Sequence, residues 1–341
     1  MMSSLYALGI GIGSKNSRGE WLEVLFPVPR MHIGAELTAQ LQALCGSESV
    51  LEPSEQQLQQ LATATAGIDD ELAALCRRLT DSGSAVVIVA LQSDQPPTDV
   101  PTAYLKLQLL SHRLVKPHQT DLSGIFATLK NLAWTNQGAI DLDELAERQL
   151  QARLAGKTLS VDCVDKFPKM VDYVVPSGVR IADTARVRLG AYVGEGTTVM
   201  HEGFINFNAG AEGPNMVEGR ISAGVFVGAG SDIGGGASTM GTLSGGGNII
   251  ISLGEQCLLG ANAGVGIPLG DRCTVEAGLY ITAGTQIQLL DENRQLVKRV
   301  KARELAGASD LLFRRNSNNG AVECLTNKSA VQLNEALHAS N

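Results

Sequence analysis

Three residues in one short stretch of this chain could do chemistry together: a carboxylate, a guanidinium and a hydroxyl. Glu218 and Arg220 stand two residues apart in MVEGR, and Ser238 follows Arg220 by 18 residues. Residues two apart in an extended strand share a face, so Glu218 and Arg220 are expected on the same side. A carboxylate can take up a proton or an acyl group, and an arginine can hold a carboxylate or phosphate through paired hydrogen bonds. His201 and Glu202 open the stretch HEGFINFNAGAEGPNMVEGRIS, from His201 to Ser222. Farther on, Lys298, Arg299, Lys301 and Arg303 form a basic run, followed by Arg314, Arg315, Asn316 and Ser317. In a chain of net charge -8, a local basic run of this kind reads either as a solvated face or as a phosphate contact.

The elements that position these residues are legible in the glycines. The chain has 38 glycines in 341 residues, and 25 of them fall between Gly178 and Gly284. Through that segment apolar residues recur at every sixth position: Val175, Ile181, Val187, Val193, Val199 and Ile205. The register resumes at Ile221, Val227 and Ile233, again at Leu253, Leu259 and Val265, and finally at Leu269, Val275, Ile281 and Ile287. A period of six is neither the 3.6 of a helix nor the 2 of a lone strand. It fits a hexapeptide β-helix, in which each unit is one short strand with an inward apolar side chain and one corner. Small residues at the corners permit tight backbone and close approach of successive coils. Three units make a coil, so residues 18 apart should stack, and Ser238 should lie directly above Arg220. The breaks from Ile205 to Ile221 and from Ile233 to Leu253 read as loops leaving the prism near 206–220 and 239–250, where a rigid scaffold usually carries its chemistry. Gly194 and Gly254 are expected at corners, and Gly235 and Gly245 to Gly247 off register.

The first part of the chain reads as a mixed α/β domain over residues 1–160, followed by the repeat domain over 161–290 and a short C-terminal segment over 291–341. Leu5–Ile12, Trp21–Val28 and Ala85–Leu91 are expected strands. Ala35–Cys45, Ser54–Ala66, Asp69–Leu79, Tyr104–Val115 and Asp141–Leu154 carry helical spacing. Gly9, Gly11 and Gly13 spell G-x-G-x-G, but no helix follows and the spacing departs from a dinucleotide loop.

Global composition excludes several classes. The acidic balance argues against a general nucleic-acid surface. The longest apolar run, Ala85–Leu91, is far short of the roughly 20 residues of a membrane helix, and the N-terminus lacks a basic signal-peptide start. A cytoplasmic protein is expected. Six scattered cysteines without a C-x-x-C pair read as reduced thiols, mostly buried.

The stretches VDKFPKMVDYVVPSGVRIADTARVRLG (Val164–Gly190), LGANAGVGIPLGDRCTVEAGLYITAG (Leu259–Gly284), LLFRRNSNNGAVE (Leu311–Glu323) and STMGTLSGGGN (Ser238–Asn248), with the His201–Ser222 segment, carry a family resemblance. The chain resembles tetrahydrodipicolinate N-succinyltransferase of lysine and diaminopimelate biosynthesis, in the branch with a large N-terminal domain. The resemblance implies an α/β N-terminal domain plus a left-handed parallel β-helix, assembled as a homotrimer with sites built from two subunits. It implies transfer of succinyl from succinyl-CoA to the amino group of ring-opened tetrahydrodipicolinate, with no prosthetic group. By resemblance Glu218 takes the acyl group as an anhydride, a general-base role being the rival. Arg220 under the Ser238 hydroxyl suits the succinyl carboxylate, and the resemblance adds acyl-CoA contacts at Gly235, Ser238, Ala261, Glu276, Ala277, Gly284, Lys301, Arg314, Arg315, Asn316 and Ser317. The branch can also hold magnesium on the three-fold axis, which points to Glu202 and Asp183, although Ala185 stands where an acidic ligand would be wanted.

Two other readings follow from the same residues. Another hexapeptide acyl-CoA transferase would need a histidine base, and His201 is the one histidine within the repeats. A non-catalytic β-helix used for binding would have no need of long loops.

Overall fold

The computed structural model describes residues 5–46, 49–241 and 249–326. The chain divides into two compact units. One comprises Met1–Val115, Gln119–Pro168 and Asp172–Val174, and the other Lys116–His118, Lys169–Val171 and Val175–Asn341.

In the first unit the long strand β1 (Leu5–Lys15) pairs antiparallel with β2 (Trp21–Leu25), β3 (Arg30–Ile33) and β5 (Ala85–Leu91), and β4 (Val50–Leu51) completes the sheet on β5. Helices α1 (Ala35–Cys45), α2 (Glu55–Thr65) and α3 (Asp70–Thr80) supply apolar faces to a core with Leu8, Ile10 and Ile88. Gly9, Gly11 and Gly13 all lie within β1. A Cβ on Gly9 would stand 2.5 Å from the Phe26 ring, and one on Gly13 would stand 2.1 Å from the Glu23 carbonyl oxygen. Glycine there serves close packing, and the segment is strand rather than phosphate loop.

Helix α4 spans Val100–Ser111, several residues earlier than the sequence spacing suggests. The Asp99 side chain accepts from the Thr102 N–H at 2.8 Å, and Pro101 sits in the first turn, which fixes the start. Two of its polar residues, Lys106 and Gln108, are buried with hydrogen-bond partners. Lys106 Nζ donates to Asp94 Oδ1 at 2.5 Å and to the carbonyls of Gln95 and Asp121. Gln108 exchanges hydrogen bonds with the backbone of Phe26 and Val24, both at 2.8 Å. A buried charge is tolerated only with such partners. The stretch YLKLQLL is therefore a packing element. The unit ends with α5 (Ile125–Thr128), a three-stranded sheet of β6 (Leu132–Thr135), β7 (Gly138–Asp141) and β8 (Val161–Asp165), and α6 (Leu142–Leu154).

The second unit is built from short parallel strands stacked in three ladders. The first runs through Arg180–Ile181, Thr198–Val199, Met216–Val217, Asp232–Ile233, Leu258–Leu259 and Thr274–Val275. A second contains Phe204–Ile205, Arg220–Ile221, Ser238–Thr239, Gly264–Gly266 and Tyr280–Thr282. The third contains Ala191–Val193, Ala209–Ala211, Phe226–Val227 and Ser252–Leu253. Val187, Val193, Val199, Ile205, Ile221, Val227, Ile233, Leu259, Val265, Val275, Ile281 and Ile287 are all 0% exposed, as inward positions of the period should be. Val175 departs from the pattern at 71% exposed, because it precedes the first laddered strand.

Coil length varies, and this corrects one expectation. Residues 206–220 do not leave the prism. Ala209–Ala211 and Met216–Val217 are ladder strands, and Ile205 pairs with Ile221 across an interval shortened to 16 residues. The interval grows to 26 residues between Phe226 and Ser252, so the excess falls near 240–250. Gly245 to Gly247 lie outside the described residues. Beyond the prism, Gln286–Leu290, Leu296–Lys301, Leu311–Arg315 and Val322–Thr326 extend the first ladder. Cys76, Cys163, Cys257, Cys273 and Cys324 form no disulfide. Cys76, Cys257, Cys273 and Cys324 are buried, and burial pushes the Cys76 thiol up to about 11.

Candidate active site

The shortened coil originates at a single corner. Between Val199 and Phe204 the chain turns through four residues, Met200–Gly203, whereas between Val217 and Arg220 it turns through Glu218 and Gly219 alone. Both amides of this tight corner, Glu218 N–H and Gly219 N–H, donate to the Ile233 carbonyl at 2.8 and 3.1 Å. A Cβ on Gly219 would lie 2.4 Å from the Ala237 carbonyl oxygen, so no other residue fits without displacing the next coil. Glu218 therefore occupies the corner and does not share a strand face with Arg220, as the two-residue spacing had suggested.

The consequence is a pair of carboxylates. A Cβ built on Gly235, in the following coil, would lie 3.5 Å from Glu218 Oε2 and 3.9 Å from Glu202 Oε2. Glu218 is half-buried and Glu202 exposed, and both face the same bare glycine. Just past the corner, Arg220 pairs in register with Ser238, and its Nε and Nη2 donate to Ser238 Oγ at 3.1 and 2.6 Å. Ser238 is buried while Arg220 is exposed. The stacking expected from an 18-residue coil is thus realised, and it places an outward guanidinium on the strand that follows the Glu218 corner. The arrangement offers a proton or acyl acceptor at Glu218 and an anion-binding group at Arg220.

The remaining candidates fall into groups. Ala261 lies in the next corner of the same column, its carbonyl accepting from Gly278 N–H at 2.8 Å. The Glu276 side chain accepts from Arg315 N–H at 2.7 Å, tying that corner to the strand Leu311–Arg315. Ala277 follows it, with its backbone against Gly260. Gly284 has open space where a Cβ would stand. The carbonyls on either side of it, at Ala283 and Thr285, accept from the N–H groups of Arg303 and Ala302, next to exposed Lys301. No hydrogen bond or ion pair among the described residues joins Gly284 or Lys301 to the Glu218 corner.

Arg314, Arg315, Asn316 and Ser317 form one side of a hairpin. Arg314 Nε and Nη2 both donate to Glu323 Oε2, at 2.9 and 2.8 Å, and Asn316 Nδ2 donates to Glu323 Oε1 at 2.7 Å. Much of the Arg314 charge is thereby committed to Glu323, leaving the exposed Arg315 and Ser317 as the outward groups of the hairpin. Burial pushes the Glu323 carboxyl up, but the hydrogen bonds from Asn316 and Arg314 outweigh it and hold the group below the usual carboxylate range. A lowered folded-state value gives stability that is present above the ordinary carboxylate range and fades as pH falls through the lowered value. The thermal midpoint of Glu323→Gln should accordingly fall less steeply than that of the parent below about pH 4.5. Parallel melting curves across that range check this, and identical slopes would refute it.

Within one chain, Asp183 and Glu202, the magnesium ligands that the resemblance implies, make different contacts. Asp183 caps the short 3-10 turn Thr184–Arg186 by accepting from Ala185 N–H at 3.0 Å, and Glu202 turns toward Gly235. Among the described residues no group of three His, Cys, Asp or Glu side chains could hold a metal ion. His201 is exposed in the four-residue corner one coil before Glu218. Sequence spacing alone did not pair Glu202 with Glu218, because the two-residue shortening that aligns them is not visible in the period.

Two family models match parts of the chain: "Tetrahydrodipicolinate N-succinyltransferase middle" over residues 129–169 and "Hexapeptide repeat of succinyl-transferase" over 250–283. Relatives named 2,3,4,5-tetrahydropyridine-2,6-dicarboxylate N-succinyltransferase align along essentially the whole chain. The protein of Pseudomonas putida is 65% identical over 100% of both chains, and that of Vibrio cholerae 61% identical over 98% of this chain and 99% of its own. A crystal structure from Campylobacter jejuni, described as a putative 2,3,4,5-tetrahydropyridine-2-carboxylate N-succinyltransferase, superposes with a TM-score of 0.87 at 32% identity. It covers 96% of this chain and 93% of its own. With a hexapeptide scaffold, a carboxylate corner beside an arginine-serine pair, and full-length identity of this order, the chain belongs to the tetrahydrodipicolinate N-succinyltransferase family.

Proposed function

We propose that this protein transfers the succinyl group of succinyl-CoA to the amino group of ring-opened tetrahydrodipicolinate, releasing N-succinyl-2-amino-6-oxopimelate and CoA. The observation that carries the reading is the half-buried Glu218 in its two-residue corner, next to the outward Arg220–Ser238 pair. In the transfer a nitrogen–carbon bond forms as the thioester carbon–sulfur bond breaks. The amine proton must leave and the thiolate must gain one. Glu218 is the acceptor beside which both exchanges run, and the chemistry requires no prosthetic group. In the anhydride route Glu218 takes the succinyl group first and passes it to the amine. A succinylated peptide containing Glu218 after acid quench identifies that route, and an unlabelled peptide identifies Glu218 as general base.

Arg220 and Ser238 are assigned to the distal carboxylate of the succinyl group. Hydrogen bonds to charged groups contribute about 1.5–3 kcal/mol each. Arg220→Ala should therefore reduce the preference for succinyl-CoA over acetyl-CoA by roughly 10- to 100-fold. Steady-state CoA release with tetrahydrodipicolinate and each donor tests both claims. A parent enzyme indifferent to the donor would overturn the substrate assignment, and an unaltered preference in the variant would remove Arg220 from it.

The finer architecture belongs to the same reading: a left-handed parallel β-helix assembled as a cytoplasmic homotrimer. Six-residue periodicity, the three parallel ladders and the family of the relatives support it, and no helix among the described residues is long and apolar enough to cross a membrane. Sedimentation that finds an active monomer would contradict the trimer.

A further inference from the structure

The ladder that carries Arg220 and Ser238 continues to an aromatic residue with no role so far. Along it, Ile221, Thr239, Val265 and Ile281 point inward at 0% exposure, and Arg220, Ser238, Gly264 and Tyr280 stand in register on the outer face. Ser222, Met240, Gly266 and Thr282 form the next outward row. Two of these outward positions are bare, and their space is filled from opposite sides. A Cβ on Gly264 would lie 2.1 Å from Tyr280 Cε2 and 2.2 Å from Cδ2, so the ring lies down over that glycine. A Cβ on Gly266 would lie 2.5 Å from Met240 Sδ. Tyr280 remains 46% exposed, in a chain only 4% aromatic.

We propose that Tyr280, seated on Gly264 with Met240 on Gly266, is an acyl-CoA-binding residue that supports the uncharged arm of the donor beside the Arg220–Ser238 pair. This rests on the transferase reading above and adds a residue to it. The ring folds back over the strand next to Ser238, about 4.8 Å from it by strand spacing. A ligand anchored by a carboxylate at Arg220 therefore meets, beyond Ser238, a thioether on the adjacent strand and an aromatic ring over the second strand away. A succinyl thioester has that sequence of groups: an anionic end, then a neutral chain of methylenes and amides. An aromatic ring with its face open to solvent gains from covering by such a chain. Bare glycines beneath are what allow the ring to lie low, so that the shelf stays level with Ser238.

The test is a double-mutant cycle read in KM for succinyl-CoA and in calorimetric CoA affinity. Tyr280→Ala should raise KM roughly tenfold, with kcat at saturating donor changing far less, and Tyr280→Phe should recover most of the loss. Gly264→Ala should raise KM to a similar degree, because its Cβ displaces a ring that is free to swing outward. The double variant Gly264→Ala/Tyr280→Ala should be no worse than either single one. Unchanged KM and affinity in Tyr280→Ala would overturn the proposal, as would additive losses in the double variant or a rise in KM that tracks an altered sedimentation coefficient. Failure of the parent enzyme to succinylate tetrahydrodipicolinate would overturn the transferase reading instead, and the calorimetric arm would still decide the role of Tyr280.

Discussion

Glu218→Gln should lower CoA release by at least about 10²-fold, the lower end of what a positioned acid-base group contributes. Glutamine keeps the length and shape of the side chain. The corner itself is held by backbone, through the Glu218 and Gly219 amides on the Ile233 carbonyl, so the fold should be untouched. Thermal midpoint and sedimentation are expected to match the parent, which separates loss of chemistry from loss of structure. His201→Asn, made in parallel, should retain a rate within a few-fold of the parent, because His201 lies in the previous corner and is exposed. A Glu218→Gln enzyme within tenfold of the parent would remove Glu218 from the reaction, and a collapse in His201→Asn would hand the base role to the histidine.

Gly194→Ala should destabilise the second unit by about 3 kcal/mol or more. A Cβ there would stand 1.8 Å from the Glu212 carbonyl oxygen and 2.3 Å from its carbon. Neither backbone can move aside freely, since Gly194 N–H donates to the Ala211 carbonyl at 2.8 Å and Glu212 N–H to the Val227 carbonyl at 2.9 Å. Gly284→Ala is the matched control, because nothing lies within 4 Å of its Cβ position, and its stability should stay within about 0.5 kcal/mol of the parent. Denaturant unfolding of the two variants measures the difference. Equal stabilities would show that the coils can spread to admit a side chain, and the close-approach explanation of the glycines would fail.

Those two glycines also mark how far a sequence alone can be read. The six-residue recurrence of apolar residues was enough to place the inward positions, because a side chain buried in a prism must be apolar wherever the backbone turns. It also stacked Ser238 on Arg220, since 18 residues is a whole coil. The G-x-G-x-G of β1 was legible as something other than a nucleotide loop, because no helix followed it. Family membership was carried by motifs that sequence comparison then matched.

The period could not show where a coil is shorter or longer than its repeat. Ile205 to Ile221 read as a loop, yet the chain there is a coil with one corner cut from four residues to two. Val175 read as core, yet no strand precedes it to close a coil. Hydrophobic period reports which way a residue points, not which residue of the next coil it meets, and that depends on every insertion and deletion in between. The sequence therefore determined the scaffold and the arginine-serine stack, and it singled out Glu218 as the carboxylate proposed to react. Only the tertiary structure decided that Glu202 shares Gly235 with Glu218, that Arg314 is committed to Glu323, and that Tyr280 lies over Gly264. These contacts join residues through corners and strand ladders, whose alignment is set by hydrogen bonds between coils rather than by spacing along the chain.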